Sequence, residues 1–403
     1  MDSMLPVSLQ QFIASHRHDD VRQLALEASR YPDVDMRRAL VQISGWQKAC
    51  EKLPSWASTE GVIYPEKISL EQCSSEATAN YKLKIARRIC AHRHERLADL
   101  TGGLAVDGST IARHFNHYLY IDSQKQLCDI ARHNLTLLGI RGFEVKQGCC
   151  EDFISSLPHQ DMIFIDPARR DDTGRKVVGL NDCTPDITMI LDDLLTKCDY
   201  LMAKLSPMID IKAALAQLRQ VVEVHVVAVD GECKEVLMVM QGNGWDNRVP
   251  MRMNTVNIRM NGEDEVFSYN PAEEQYSTFL LADGLGEYLY EPNAAVMKAG
   301  GYKSLTNSYQ VLQLDTNTHL YTSDHLIDGF PGRKFKVVDA TSFSKKSLKS
   351  FLADMRQCNL TVRNFPSNVA ELRKRLNLRD GGSDYIFATT VKGERLLIKC
   401  KKA

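Results

Sequence analysis

The amino-acid sequence predicts an α/β protein built on a doubly wound sheet. Apolar strand-length runs alternate with helical segments between residues 75 and 245, and only Asp230–Glu235 separates the last two runs. This alternation predicts parallel strands, and the short final connection predicts a terminal antiparallel hairpin. A change of charge after residue 330 sets a small basic α+β domain apart. We therefore expect a helical subdomain at 1–74, the α/β domain at 75–245, a connecting domain at 246–330 and the basic domain at 331–403.

The residues before the sheet are predicted to be helical. A helical stripe runs from Val21 to Ala28, and a second helix is expected over Met36–Leu53, where Pro54 ends it. Residues 60–75 are expected to be irregular, and Ser75–Ala86 begins the α/β domain as a helix. No motif with chemical meaning lies before residue 75, which favours a packing or substrate-docking role.

The elements of the α/β domain follow from hydrophobic periodicity. The predicted strands are Leu97–Leu100, Tyr118–Asp122, Phe143–Gln147, Met162–Ile165, Tyr200–Leu205, Val222–Val229 and Val236–Met240. The predicted helices are Ser109–Phe115, Gln124–Leu138, Ile187–Leu195 and Ile211–Leu218.

The last segment reads β-α-β-α-β-β, with a turn expected at Asp380, Gly381 and Gly382 and a hairpin about Gly393, and it has a net positive charge. Residues 331–403 contain 17 Lys and Arg against 6 Asp and Glu, whereas the preceding residues carry a net charge of −12. A segregated basic domain is typical of nucleic-acid binders. The alternative is a surface whose charge serves only solubility.

Composition excludes several other classes of protein. No apolar run approaches membrane-spanning length, and the first residues lack the pattern of a signal peptide, so we expect a cytoplasmic protein with no membrane contact. The 11 cysteines include no C-x-x-C pair and no Cys/His cluster at zinc spacing. Reduced thiols and no metal requirement are expected.

Asp166 and Pro167 mark the candidate site. They follow a buried strand, and ligands of open α/β sheets lie outside the carboxyl ends of the strands. The alternative is that Asp166 only caps the next turn.

Glycines and acids at the other strand ends strengthen the case for a nucleotide-cofactor site. Gly102 and Gly103 allow close approach of a ligand to the backbone after a strand that ends in Asp99. Asp122 is placed to accept ribose hydroxyls, and Asp152 with Phe153 suits an adenine amino group and ring. The glycines do not form G-x-G-x-x-G, which argues against a pyrophosphate cofactor.

These motifs resemble those of class I S-adenosylmethionine-dependent methyltransferases. Residues 99–105, Asp-Leu-Thr-Gly-Gly-Leu-Ala, look like the glycine loop of that family and depart from it at Thr101 and Ala105. The resemblance implies a Rossmann-like sheet, S-adenosylmethionine as cofactor, and a C-terminal domain similar to THUMP domains of RNA-modifying enzymes. The cofactor-binding residues that it implies are Asp99, Thr101, Gly102, Gly103, Asp107, Asp122, Ser123, Asp152, Phe153, Asp166 and Pro167.

The residues near Asp166 and after the fifth strand limit the types of methyl transfer that the sequence supports. The cysteine nucleophile of C5-methylating enzymes is missing from Leu205-Ser206-Pro207, and the aromatic residue of amino-methylating enzymes is missing after Pro167. The chain instead resembles ribose 2′-O-methyltransferases, whose Lys-Asp-Lys-Glu tetrad is matched by Lys82, Asp166, Lys204 and Glu235. A lysine desolvated beside another cation has a lowered pKa and could act as a base. The alternative is that both lysines are solvated and Glu235 belongs only to the hairpin.

Basic residues provide the candidate substrate contacts. Arg169 and Arg170 could bind a substrate phosphate, or could pair with nearby acids and order their loop. In the basic domain the candidates are Arg363, Arg373, Lys374 and Arg375. We predict a methyltransferase acting on tRNA or rRNA, at a ribose 2′-oxygen or a base nitrogen, with this domain docking the RNA. The alternative function is an inactive RNA-binding or assembly factor, and a DNA or protein substrate is a third possibility.

Overall fold

The structure is a computed structural model that describes residues 5–168, 179–353 and 355–403. The chain forms two compact units. The first comprises residues 1–223 and 235–249, and the second comprises residues 224–234 and 250–403. The chain therefore passes from one unit to the other three times.

Short helices precede the sheet of the first unit. They are α1 (Val7–His16), α2 (Val21–Leu26), α3 (Met36–Lys52), α4 (Pro54–Ala57) and α5 (Lys67–Gln72). Helix α5 lies in the stretch expected to be irregular, and that expectation is wrong because six residues are too few to show a helical period. Trp56 and Leu70 from this region pack in one cluster with Leu104 and Val106. The helical region thus supports the segment that follows the glycines.

The sheet of the first unit has the predicted architecture. From α6 to β7 the elements are α6 (Glu76–Ile89), β1 (Arg96–Asp99), α7 (Val106–Ala112), β2 (His117–Asp122), α8 (Lys125–Leu137), β3 (Phe143–Gln147), α9 (Glu151–Ile154), β4 (Gln160–Ile165), α10 (Ile187–Thr196), β5 (Cys198–Leu205), α11 (Ile211–Gln217), β6 (Val221–Val229) and β7 (Glu232–Gln241), of which residues 224–234 belong to the second unit. Within this unit the strand order is β3-β2-β1-β4-β5-β7. The first five strands are parallel, and β7 runs antiparallel to β5. The doubly wound sheet with an antiparallel terminal strand is confirmed.

The order of the strands creates the ligand position. Strand β1 pairs with β2 on one side and with β4 on the other, so the chain reverses its winding direction there. Crevices form outside the carboxyl ends of strands at such a switch point. Asp99 ends β1 and Asp166 directly follows β4, which places both acids at this edge.

The second unit contains a mixed sheet of seven strands. The elements of the chain after β7 are β8 (Arg252–Ile258), β9 (Glu265–Tyr269), α12 (Pro271–Tyr276), β10 (Tyr288–Pro292), α13 (Ala294–Ala299), α14 (Tyr302–Tyr309), β11 (Leu312–Gln313), β12 (Tyr321–Ser323), β13 (Gly332–Ser342), α15 (Lys345–Phe351), β14 (Gln357–Val362), α16 (Val369–Leu376), β15 (Arg379–Val391) and β16 (Glu394–Lys402). The sheet order is β11-β12-β10-β13-β16-β15-β14. The sheet thus combines strands from both sides of residue 331.

One predicted turn in the basic domain is wrong. Asp380, Gly381 and Gly382 lie inside β15 and not between two elements. The pairing of β15 with β14 shifts register here, and both glycines have positive φ. A bulge uses the same glycine-rich sequence as a turn, so the sequence pattern did not separate them. The β15–β16 hairpin about Gly393 is as predicted.

No helix in the described part of the chain is long and apolar enough to cross a membrane. The same residues contain no group of three His, Cys, Asp or Glu side chains that could hold a metal ion.

Candidate active site

The glycine loop after β1 is shaped by an aromatic side chain of the neighbouring strand. A Cβ atom at Gly102 would lie 2.1 Å from the ring of Tyr120. The Tyr120 hydroxyl donates a hydrogen bond to the Gly103 carbonyl at 2.7 Å, and Gly103 N–H donates to Asp122 at 2.9 Å. Only glycine therefore fits at position 102, and strand β2 holds the loop.

The space beside Gly103 fits a cofactor. Its φ is +53°, and the nearest atom to a Cβ there would be the Thr101 carbonyl oxygen, 3.8 Å away. The partly exposed Asp122 carboxylate lies directly beside this opening and can accept hydroxyl donors. An open backbone loop next to an acid is the set of groups that an adenosine-containing cofactor requires.

Thr101 and Ala105 have clear structural roles. The Thr101 hydroxyl accepts a hydrogen bond from the Asp166 N–H at 2.6 Å, and so joins the glycine loop to the end of β4. Ala105 has a φ of +63°, a left-handed conformation that favours glycine. Ala105 therefore adopts the backbone conformation of the glycine that the family has here, at a cost of about 1 kcal/mol.

Asp99 is a buried acid. It is 1% exposed, accepts a hydrogen bond from Thr101 N–H at 3.2 Å, and contacts the Tyr118 hydroxyl at 3.4 Å. Burial raises the pKa of Asp99 to about 8. Asp99 is therefore largely neutral at pH 7 and adds little charge to the site.

The other predicted cofactor residues occupy the same edge of the sheet. Ser123 follows Asp122 and is exposed, as is Asp152 in α9. The Phe153 ring lies where a Cβ at Gly148 would be 2.7 Å away, so glycine is needed there too. The roles of these residues toward ribose and adenine remain predictions.

The four predicted tetrad residues lie in one chain of ion pairs. Lys82 Nζ lies 2.6 Å from Glu235 and 3.0 Å from Asp107, and Lys204 Nζ lies 3.4 Å from Asp107 and 2.5 Å from Asp166. Charges alternate along Glu235, Lys82, Asp107, Lys204 and Asp166. The structure therefore brings the tetrad together through a fifth residue, Asp107.

This ion-pair chain is buried at one end and exposed at the other. The Lys82 side chain has 0% exposed surface, Lys204 has 11% and Asp166 has 35%. Asp166 is thus the member through which the chain meets solvent or a substrate. Pro167, directly after it, is buried.

The proposed lysine base is not supported at Lys204. Burial alone would lower the pKa of Lys204, but Asp166 and Asp107 outweigh burial and raise that pKa well above its ordinary value. The expectation of a lowered pKa beside another cation is wrong here, because an acid lies next to the lysine. Burial likewise opposes ionisation of Asp107, but Lys82 and Lys204 hold its pKa low, at about 2.

Two contacts of the ion-pair chain were not expected. Asp107, predicted to bind cofactor, is buried and binds the two lysines. Ser74 donates a hydrogen bond to Asp107 at 2.6 Å and lies within 3.3 Å of both ammonium groups. No sequence signal distinguishes Ser74, since it lies before α6 in a stretch without periodicity.

Of the predicted substrate arginines Arg169, Arg170 and Arg363, the structure describes the last. Arg169 and Arg170 lie outside the described residues. Arg363 donates to the buried carboxylate of Glu291 at 2.9 Å, together with Arg333. Arg363 therefore stabilises the second unit, whatever it adds toward a substrate.

The three basic residues of α16 also differ from one another in the contacts of their side chains. Arg373 pairs with Asp380 at 2.7 Å, and Arg375 lies over the Phe343 ring at 4.4 Å. Lys374 is exposed and has no ion-pair partner among residues 5–168, 179–353 and 355–403. Of the three, Lys374 is the one whose charge takes part in no ion pair or cation–π contact within the described part of the chain.

Fold and site together define a Rossmann-like methyltransferase, and comparisons with known proteins agree. The crystal structure of a protein from Porphyromonas gingivalis W83, assigned to the methyltransferases, is 31% identical, covers 98% of both chains and superposes with a TM-score of 0.86. A protein named as an uncharacterised S-adenosylmethionine-dependent methyltransferase, found in two strains of Mycobacterium tuberculosis, is 25% identical over 73% of this chain and 78% of its own. Residues 288–331 match a family described as a ferredoxin-like domain, and residues 332–402 match a THUMP domain-like family.

The chain belongs to this family of S-adenosylmethionine-dependent methyltransferases with a C-terminal THUMP-like domain. The resemblance inferred from the sequence is confirmed, and S-adenosylmethionine is the cofactor. When bound, it supplies a methyl group on a positively charged sulfur.

Proposed function

We propose that this methyltransferase modifies RNA and that Asp166 orients the accepting atom. The observation that carries the proposal is the position of Asp166, which is the exposed end of a buried ion-pair chain and is hydrogen-bonded to the glycine loop through Thr101. Methyl transfer from a sulfonium is a displacement in which the accepting atom needs an available lone pair and must lose a proton. A carboxylate at this position can accept that proton or the hydrogen bond that precedes its loss.

The electrostatics favour a base nitrogen over a ribose oxygen. A ribose hydroxyl is a very weak acid and needs a strong base, and Lys204 is protonated over the physiological range because its pKa is raised. A nitrogen with a free lone pair needs only an acceptor for its proton. The Asp166 side chain, 2.5 Å from Lys204 Nζ, provides oxygen atoms that can act as this acceptor.

RNA is proposed as the substrate because of the second unit. Residues 332–402 match a THUMP domain-like family, and residues 331–403 carry a net charge of +11. Neutralising phosphates releases counterions, so a basic domain gains affinity for any RNA without reading its sequence. We propose that residues 331–403 dock a tRNA or rRNA and that the methyltransferase domain modifies it.

The test is transfer of a deuterated methyl group to RNA from cells lacking this protein, followed by mass spectrometry of the nucleosides. Asp166→Asn is expected to reduce transfer at least about 100-fold and to leave the cofactor Kd, measured by calorimetry, nearly unchanged. Asp129→Asn, which changes an exposed ion pair on α8, is the matched control and should keep full activity. Full activity of Asp166→Asn would refute its role. Cofactor binding without methylated RNA would favour another substrate, and no cofactor binding at all would favour the inactive RNA-binding or assembly factor.

A further inference from the structure

Ser74 lies at the centre of the ion-pair chain. Its hydroxyl oxygen is 2.6 Å from Asp107, 3.2 Å from Lys82 Nζ and 3.3 Å from Lys204 Nζ, and the residue is 7% exposed. The Glu235 carboxylate lies 3.5 Å away. One uncharged side chain therefore lies beside charged groups from α6, α7, β5 and β7.

A serine hydroxyl has one proton and two lone pairs, and this one uses all three. An ammonium group only donates, so the lone pairs accept from Lys82 and Lys204, and the proton goes to the carboxylate of Asp107. The oxygen end of the hydroxyl dipole thus faces two cations. This arrangement opposes the repulsion between the two ammonium groups, which is strong in a buried site.

The contact with Lys204 links Ser74 to the exposed end of the ion-pair chain. Lys204 Nζ also lies 2.5 Å from Asp166 and 3.4 Å from Asp107. An ammonium group has three N–H donors, one for each of these oxygens. Loss of the Ser74 hydroxyl would leave the ammonium group with its two carboxylates and free its third N–H. The cation that holds Asp166 would then be less fixed in position.

The short segment that carries Ser74 is itself held on both sides. Before it, Lys52 of α3 donates to the carbonyls of Leu70 and Glu71 in α5, at 3.1 and 2.8 Å. After it, α6 begins with its own cap at Ser75. The hydroxyl therefore has a fixed anchor from which to orient its partners.

We propose that Ser74 is a positioning residue for methyl transfer, which fixes Lys204 and, through Lys204, orients the Asp166 carboxylate. The part of this inference that concerns the reaction rests on the proposed role of Asp166. The segment before residue 75 then contributes to the reaction site itself, beyond packing or substrate docking.

The first measurement is kcat for methyl transfer to RNA, with the KM values of cofactor and RNA determined separately. Ser74→Ala is expected to lower kcat about tenfold, as loss of one hydrogen bond to a charged group implies, and to leave both KM values nearly unchanged. Ser74→Thr retains the hydroxyl and should keep most of the activity. In the Asp166→Asn background, Ser74→Ala should lower kcat by less than about twofold, because its effect passes through Asp166.

The adjacent serine provides the matched control. Ser75 Oγ accepts a hydrogen bond from Thr78 N–H at 3.3 Å and so caps α6. Ser75→Ala is expected to lower the urea midpoint, as loss of a helix cap does, and to leave kcat unchanged. Equal loss of kcat in Ser74→Ala and Ser75→Ala, or an equally low kcat in Ser74→Thr and Ser74→Ala, would overturn the proposal.

The second measurement needs no substrate. Buried ammonium groups exchange their protons slowly with water, so nitrogen NMR of lysine-labelled protein detects them, and Lys204→Arg assigns the Lys204 signal. Exchange at Lys204 should be faster in Ser74→Ala than in wild type and unchanged in Ser75→Ala. An unaltered Lys204 signal would overturn the positioning role whatever the substrate, and so would faster exchange with wild-type kcat. Faster exchange in a protein that transfers no methyl group to RNA would keep Ser74 as the residue that fixes Lys204 and reject the proposed function.

Discussion

Lys82 shows how a single buried residue can set the electrostatics of a site. Its ammonium group has no exposed surface and is shared between Glu235 and Asp107. Taking such charges out of water is unfavourable, and the pairing offsets this only while every partner is present. The ion-pair chain is therefore sensitive to loss of any one member.

Lys82→Met is expected to destabilise the first unit by about 3–5 kcal/mol, because it leaves the buried Glu235 without a cation and Asp107 with Lys204 alone. Urea denaturation measures this loss. The double variant Lys82→Met with Glu235→Gln also removes the carboxylate that lost its cation and should recover part of the stability. A double variant that is no more stable than Lys82→Met would contradict the pairing.

The buried Asp99 predicts an effect of pH on stability. Its pKa rises from an ordinary value of 3.8 to about 8 on folding, so the folded state binds more protons between these values. Stability should therefore fall as pH rises from about 4 to 8, by up to about 1.4 kcal/mol per pH unit from this group. Denaturation of wild type and Asp99→Asn across this range isolates the effect, and the variant should lack this part of the slope. Parallel curves for the two proteins would show that Asp99 is ionised in the folded state.

The sequence identified the site residues themselves more readily than the roles of the residues that contact them. The resemblance to the tetrad of ribose 2′-O-methyltransferases predicted that Lys82, Asp166, Lys204 and Glu235 lie near one another. The part played by Asp107 could not be predicted, since a carboxylate on α7 suits a cofactor and a lysine equally well. The pKa of Lys204 depends on distances of 2.5–3.4 Å, which no spacing in the sequence specifies.

At the scale of elements, the glycine loop depends on a contact between two strands. Position 102 lies against Tyr120 of β2, and the Tyr120 hydroxyl holds the Gly103 carbonyl. The loop conformation is thus a property of β1 and β2 together. The sequence predicted both strands from their apolar runs, but it missed α5 and the bulge in β15, whose short or glycine-rich sequences have no clear period.

Gly102→Ala is expected to destabilise the protein by about 1–3 kcal/mol, because its Cβ would overlap the Tyr120 ring. Cofactor affinity, measured by calorimetry, should fall with it, since the loop must move. Gly139→Ala at the end of α8 is a useful control, because it has positive φ but no atom within 4 Å of the added Cβ. It should lose stability through backbone strain and keep its cofactor affinity. Equal loss of affinity in both variants would argue against a specific role for the Gly102 contact.

At the scale of the whole molecule, charge is separated between segments of the chain. The cations of the basic segment are nevertheless not equivalent, since Arg363 holds the buried Glu291 while Lys374 is uncommitted. Net charge was readable from the sequence, but the division of cations into structural and available ones was not. That division depends on which acids the fold buries.

Lys374→Ala is expected to reduce the slope of RNA affinity against salt concentration by about 0.7–0.9, as loss of one phosphate contact implies. Arg363→Ala should instead lower stability by about 1–3 kcal/mol, because a buried carboxylate loses a charged donor. Filter binding between low and moderate salt and thermal unfolding separate the two effects. An unchanged salt slope in Lys374→Ala would place the RNA elsewhere.

The three passages of the chain between the two units have a consequence for synthesis on the ribosome. Lys82, Asp107, Asp166 and Lys204 are all translated before the chain enters residues 224–234 of the second unit, and Glu235 is the first residue after its return. A nascent chain that has reached residue 234 therefore holds Lys82 with only one of its two carboxylates. Because domains begin to fold during synthesis, the first unit can complete its buried charges only after part of the second has been made.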